Sequence, residues 1–177
     1  MTTNAPDMIK ISSVATHYPL LAGVIAKTRS NILELGVGHY STPMLSFISK
    51  ATRRTVVSAD TDQDWIDFFE KKYSSLDHHF ICTRGNNISN AFLMHPAWKN
   101  ALWDVAFIDC APAEDRINCI EILRERSKYI VVHDAEPEAV AYNWGDIFKT
   151  FPNRYCFDAY GTSAMCLSME ENCEWLF

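Results

Sequence analysis

Short apolar runs alternate with stretches of helical periodicity along most of this chain. Residues 31–35, Asn-Ile-Leu-Glu-Leu, predict a strand, followed by a glycine turn and a helix from about Ser41. Residues 55–59 predict a second strand, and 63–73 a helix with apolar Trp65, Ile66, Phe68 and Phe69. Strands three to five are predicted at 79–83, 104–108 and 129–133, with helical stretches at 88–99, 114–126 and 138–149 after them. Upstream, 11–27 carries apolar residues at three- and four-residue spacing, a helix interrupted near Pro19. The tail, 154–159 and 163–168, predicts a closing hairpin around Gly161.

Five strands alternating with helices require right-handed crossovers and a mostly parallel sheet covered on both faces. Adding the terminal pair gives the expected architecture: an α/β, Rossmann-like doubly wound, mostly parallel seven-stranded sheet with an antiparallel terminal hairpin. Internal repeats, low-complexity tracts and linkers are absent, so residues 1–177 read as a single domain, with 1–30 as a helical lid segment. Ligands of such sheets bind beyond the carboxyl ends of the strands, at the point where strand order reverses.

Composition narrows the partners. A formal charge of −6 without a Lys/Arg run argues against phosphate backbones, so nucleic acid is not expected as substrate. Cys82, Cys110, Cys119, Cys156, Cys166 and Cys173 form no C-x-x-C pair, and the first five sit in apolar stretches. They read as reduced cysteines of a reducing, cytoplasmic compartment rather than a disulfide framework. No signal-peptide pattern and no membrane-length apolar run are present, so no membrane partner is expected. Oligomeric state is left open.

The most informative segment is Glu34-Leu-Gly-Val-Gly-His-Tyr-Ser-Thr42. Gly36 and Gly38 let backbone approach a ligand closely. Glu34, at the mouth of the strand, would repel a pyrophosphate but suits the ammonium of a methionine moiety, directly or through water. A dinucleotide fingerprint wants a third glycine where Ser41 stands. Ser41 and Thr42 open the helix, where hydroxyls and free N–H groups receive a carboxylate or simply cap the helix. Asp60, the first acid after strand two, is placed to bind ribose hydroxyls, and Asp62 to cap the next helix. Asn86 follows strand three, as an adenine border or a turn residue.

Glu34-Leu-Gly-Val-Gly38, the acid after strand two, Asp104-Val-Ala-Phe-Ile-Asp109 and the closing hairpin together resemble the class I S-adenosylmethionine (SAM)-dependent methyltransferases, over nearly the whole chain from about Asn31. The resemblance implies SAM as cofactor and cofactor-binding roles for Glu34, Gly36, Gly38 and Asp60. It departs at Tyr40, where many members carry a third glycine.

Asp109, His133 and Asp134 converge after strands four and five as the candidate reaction centre, with Asp109 also bordering the cofactor. Methyl transfer from a sulfonium needs an aligned acceptor oxygen and removal of its proton. His133 or Asp109 is the candidate base. Alternatively Asp109 and Asp134, with Glu136, hold Mg²⁺ or another divalent cation that lowers the acceptor's pKa. The resemblance extends to small-molecule and sugar O-methyltransferases, some of which use such a cation. The catechol type has Asp-Asn after strand five where this chain has Asp134-Ala135. Arg116, His17, Tyr18 and Trp144 are candidate contacts to substrate.

The expected function is O-methylation of a small hydroxylated acceptor, a sugar or glycan residue ahead of a catechol-like phenol. No Asn/Asp-Pro-Pro-aromatic string marks a nitrogen acceptor. Two other readings stand beside it: a SAM-fold binding module without catalysis, and an NAD-dependent reductase.

Overall fold

The computed structural model describes residues 15–136, 144–159 and 162–176. Seven strands form one sheet: β1 (Ile32–Leu35), β2 (Val56–Asp60), β3 (His78–Cys82), β4 (Trp103–Ile108), β5 (Ser127–His133), β6 (Asn153–Ala159) and β7 (Thr162–Ser168). Their order is β3-β2-β1-β4-β5-β7-β6. The first five run parallel, while β7 is antiparallel to both β5 and β6. Strand order therefore reverses between β1 and β4, and the candidate residues lie beside that switch point.

Side chains alternate between two buried faces, which is why the strands read as continuous apolar runs. Leu33, Leu35, Val57, Ile108 and Val132 pack with Cys119, Ile120 and Leu123 of α4 (Asp115–Leu123). Ile32, Val56, Phe107 and Val131 face the other way, onto α1 (His17–Lys27) and α2 (Ser41–Thr52) through Leu20, Leu21, Val24 and Leu45. α3 (Gln63–Tyr73) closes a smaller cluster of Val37, Ile66 and Phe69.

Strand ends differ from the sequence reading by one or two residues. The stretch 88–99 is not one helix: a single π-helical turn at Ser89–Leu93 gives way to tight turns, and Pro96 cannot supply the backbone N–H a helix needs there. α4 ends at Leu123, short of Arg126. Of the helix expected at 138–149, 144–149 are described and show a 3₁₀ turn at Ile147–Thr150; 137–143 lie outside the described residues, as do 1–14 of the expected lid and the turn at Gly161. All six cysteines are free. Among the described residues no helix is long and apolar enough to cross a membrane.

Candidate active site

The glycine loop is pinned from several sides. Gly36 has φ +93°, and a Cβ there would lie 2.4 Å from the Asp109 carbonyl oxygen, so the close approach of the β1 and β4 ends demands glycine. At Gly38 a Cβ would meet only Ser41 Oγ at 3.5 Å, an ordinary contact. The fold itself does not require glycine there. Asp60 Oδ2 accepts from Val37 N at 2.9 Å and Oδ1 from Asp62 N at 3.0 Å, while Trp65 Nε1 donates to Val37 O at 2.6 Å. Each Asp60 oxygen keeps further acceptor capacity beyond these backbone bonds.

Behind the loop Glu34 is fully buried. Thr42 Oγ1 donates to its Oε1 at 2.9 Å and accepts from Gly38 N at 2.9 Å; Ser58 Oγ donates to Oε2 and meets His78 Nε2 at 2.8 Å. Burial raises the Glu34 carboxyl to about 7, against the opposing pull of the Ser41, Ser58 and Thr42 hydroxyls. Burial likewise lowers His78 to about 4, with smaller contributions from His79 and Lys50.

At the ends of β4 and β5 a second group assembles around Arg116, the second residue of α4. Its Nη2 donates to Asp109 Oδ1 at 2.8 Å, Nη1 to His133 O at 3.0 Å and to Asp134 Oδ2 at 3.4 Å, and Nε to Cys110 O at 2.8 Å. Asp134 adopts φ +53°, a left-handed conformation that Asp tolerates better than most residues. His133 Nδ1 lies 3.4 Å from Asp109 Oδ1 and 3.3 Å from Asp134 Oδ1; its Nε2 meets Thr16 Oγ1 at 3.1 Å. Burial alone would depress His133, but hydrogen bonds to Asp109 and Asp134 outweigh it and raise the imidazole to about 9. His17 packs on Phe107 and sets its edge against the His133 ring; burial lowers it to about 4.

No protein-family model and no curated protein matches the chain. Solved structures do resemble it. A cofactor-bound Rv0187 from MTB superposes with a TM-score of 0.66 at 17% identity, over 92% of this chain and 83% of that one. The O-methyltransferase from Bacillus cereus in complex with SAH gives 0.64 at 16%, over 89% and 81%. The hMettl16 catalytic domain in complex with the MAT2A 3'UTR hairpin 1 gives 0.59 at 9%, over 91% and 72%. The fold is that of the SAM-dependent methyltransferases. One of these neighbours is in complex with an RNA hairpin, so the fold alone does not set the class of acceptor.

On the methyltransferase fold the residues singled out above fall into two groups. Gly36, Gly38 and Asp60 line the loop; Asp109, His133, Asp134 and His17 form one polar cluster. The others lie elsewhere or are engaged by the protein itself. Ser41 and Thr42 are buried and Thr42 is spent on Glu34 and Gly38, so these hydroxyls do not present themselves to a ligand carboxylate. Arg116 is an inward clamp between strand ends, not a substrate contact. Asn86 donates from Nδ2 to Thr83 O at 2.9 Å, which closes its own turn. Trp144 is 7% exposed, donates to Asp134 O and packs on Phe148, so it offers no face to a sugar. Tyr18 is 42% exposed, on the outside of α1. Glu136 accepts from Ser163 N at 2.9 Å through Oε2. Asp62 caps α3 through Trp65 N, as expected.

The donor set does not suit the hard cation considered from the sequence. Mg²⁺ and Ca²⁺ want six or more oxygens, whereas here Arg116 engages both carboxylates and imidazole nitrogens supply the other donors. Ser58, His78 and Thr16 went unremarked in the sequence. Ser58 had one visible signal, a polar residue inside an otherwise apolar buried strand.

Proposed function

We propose that the chain is a SAM-dependent methyltransferase that methylates a hydroxyl of a small acceptor, with a sugar or glycan residue as the acceptor class to test first. The observation that carries this reading is the glycine at position 38, bare backbone where the fold tolerates a Cβ, set beside the Asp60 carboxylate on the methyltransferase strand order.

Gly36 to Gly38 and Asp60 are the residues that would hold the cofactor, whose sulfonium supplies an electrophilic methyl group. Glu34 works from behind: through Thr42 it fixes the Gly38 amide, and its buried acid makes the bend unsuited to a pyrophosphate. Asp109, held by Arg116, borders both the loop and the polar cluster. His133 spends Nδ1 on Asp109 and Asp134 and Nε2 on Thr16, so its part is to position the two carboxylates, and the proton of the acceptor goes to a carboxylate oxygen of Asp109 or Asp134. A positioned base of this kind contributes about 10²–10⁴-fold. The polar floor of Asp109, His133 and Asp134 favours a hydroxylated acceptor over an apolar one.

One observation favours the binding-module reading: Arg116 engages both carboxylates and leaves neither as an unencumbered base. Calorimetry against SAM, S-adenosylhomocysteine and NAD, followed by isotope-labelled methyl transfer over monosaccharides, catechols and glycan extracts, separates these readings. SAM binding with label transfer supports the enzyme; SAM binding without transfer supports the module; NAD binding alone removes both.

A further inference from the structure

His17 is a buried group that methyl transfer leaves without a task. It opens α1, is 2% exposed, and neither ring nitrogen has a hydrogen-bond partner among the described residues. An unmet buried polar group costs about 1–3 kcal/mol, and an apolar side chain would pack on Phe107 without that cost. Its ring instead stands edge-on to His133, centroids 4.8 Å apart at 83°. One ligating atom from each of His17, Asp109 and His133 lies within 4.8 Å of the other two. A tetrahedral ion with ligand bonds of ~2.0–2.1 Å has ligand–ligand edges of about 3.3 Å. The 3.4 Å between His133 Nδ1 and Asp109 Oδ1 already matches that edge. Ionised carboxylate oxygens cannot donate, so Nδ1 and the two aspartates enclose a position that a proton or a metal cation fills. Thr16 on His133 Nε2 and Arg116 on Asp109 supply the outer partners that hold such ligands in orientation.

We propose that His17, His133 and Asp109 bind a transition-metal cation of the zinc type, with a coordination position left for water or an acceptor oxygen. Two imidazoles and a carboxylate select Zn²⁺ and its first-row neighbours over Mg²⁺ and Ca²⁺. The site shares the cleft of the proposed methyl transfer but does not rest on that reading, because its affinity is measured with no SAM present.

The full chain, stripped with EDTA and kept reduced, is titrated with Co²⁺ under visible spectroscopy and with Zn²⁺ in a calorimeter. The expected result is a single ion per chain, a tetrahedral cobalt spectrum lacking sulfur-to-cobalt charge transfer, and no competition from excess Mg²⁺. Thr16→Val, which removes only an outer hydroxyl, weakens Zn²⁺ binding about 10–100-fold; His17→Gln and Asp109→Asn each weaken it further, with an unchanged circular dichroism spectrum. Absence of binding overturns the proposal. So does equal Zn²⁺ affinity in parent and His17→Gln, or a thiolate cobalt spectrum that survives His17→Gln, which places the ion on the buried Cys110, Asp115 and Cys119 group. If His17→Gln does not fold, Asp109→Asn and His133→Gln decide the matter by the same readouts.

Discussion

Two glycines two residues apart are asked for by different things, and substitution separates them. Gly36→Ala forces a Cβ against the Asp109 backbone at a left-handed φ, so it loses on the order of 1–3 kcal/mol from backbone strain and more from the clash. The denaturant midpoint falls whether or not ligand is present. Gly38→Ala leaves the unfolding free energy within about 1 kcal/mol of the parent, since Gly carries an entropic cost that Ala relieves, and instead weakens SAM binding. A Gly38→Ala chain that binds SAM as the parent does would remove Gly38 from the cofactor site. Titrating groups give a second prediction at this scale. The Glu34 carboxyl, ordinarily at 4.5 and raised to about 7, stabilises the fold fully below 4.5 and loses that contribution as pH rises through 7. His133, raised from 6.5 to about 9, contributes fully below 6.5 and loses it as pH rises through 9. Unfolding free energy therefore loses the Glu34 contribution between about pH 4.5 and 7 and the His133 contribution between about 6.5 and 9, each on the order of 3 kcal/mol. His133→Gln flattens the limb between 6.5 and 9, and Glu34→Gln the limb between 4.5 and 7, as read from urea melts across pH.

At the scale of elements, Arg116 joins α4 to the ends of β4 and β5 through four hydrogen bonds that use both its charge and its fork shape. Removing one side of a buried ion pair costs about 3–5 kcal/mol. Arg116→Met should fall in that range, and Arg116→Lys should recover little of it because a single ammonium cannot reach all four acceptors; thermal unfolding of both variants checks this. The elements themselves were largely legible. Parallel strands buried on both faces leave an unmistakable apolar run, and Asp60 closes β2 as read, whereas Glu34 lies inside β1, fully buried behind the glycine loop with its oxygens on Thr42 and Ser58 instead of facing a ligand. What escaped was partnership. Arg116 lies near the start of a helix, where a cation reads as surface, and only the fold turns it inward. Trp144 carries the same lesson: it satisfies the Asp134 backbone carbonyl, a use with no sequence signature, whereas Asn86 closes the turn that was one of its two readings. The stretch 88–99 reads as helical because its apolar spacing fits, yet tertiary packing retains just one turn of it.

For the whole molecule, SAM and S-adenosylhomocysteine should raise the unfolding temperature in proportion to saturation. A ligand at a hundred times its Kd adds about 2.7 kcal/mol to stability, and NAD at the same concentration should leave the melt unchanged. The loss from Glu34 between about pH 4.5 and 7 is opposed within nearly the same window. His17 and His78, depressed to about 4 by burial, contribute above 6.5 and lose that contribution as pH falls through 4. The two histidines outweigh Glu34 below about pH 6.5 and His133 carries the decline above it, so these four groups leave the fold firmest near pH 6.5. β7 carries one more consequence. It is a late strand in the chain yet occupies an interior place, zipped on one side to β5 and on the other to β6. A ribosome that has released only as far as β5 holds a sheet with a raw apolar border and unpaired amides, the kind of border that recruits neighbouring chains. Interrupting synthesis or trimming the chain ahead of Thr162 should therefore yield aggregates and not a smaller soluble domain.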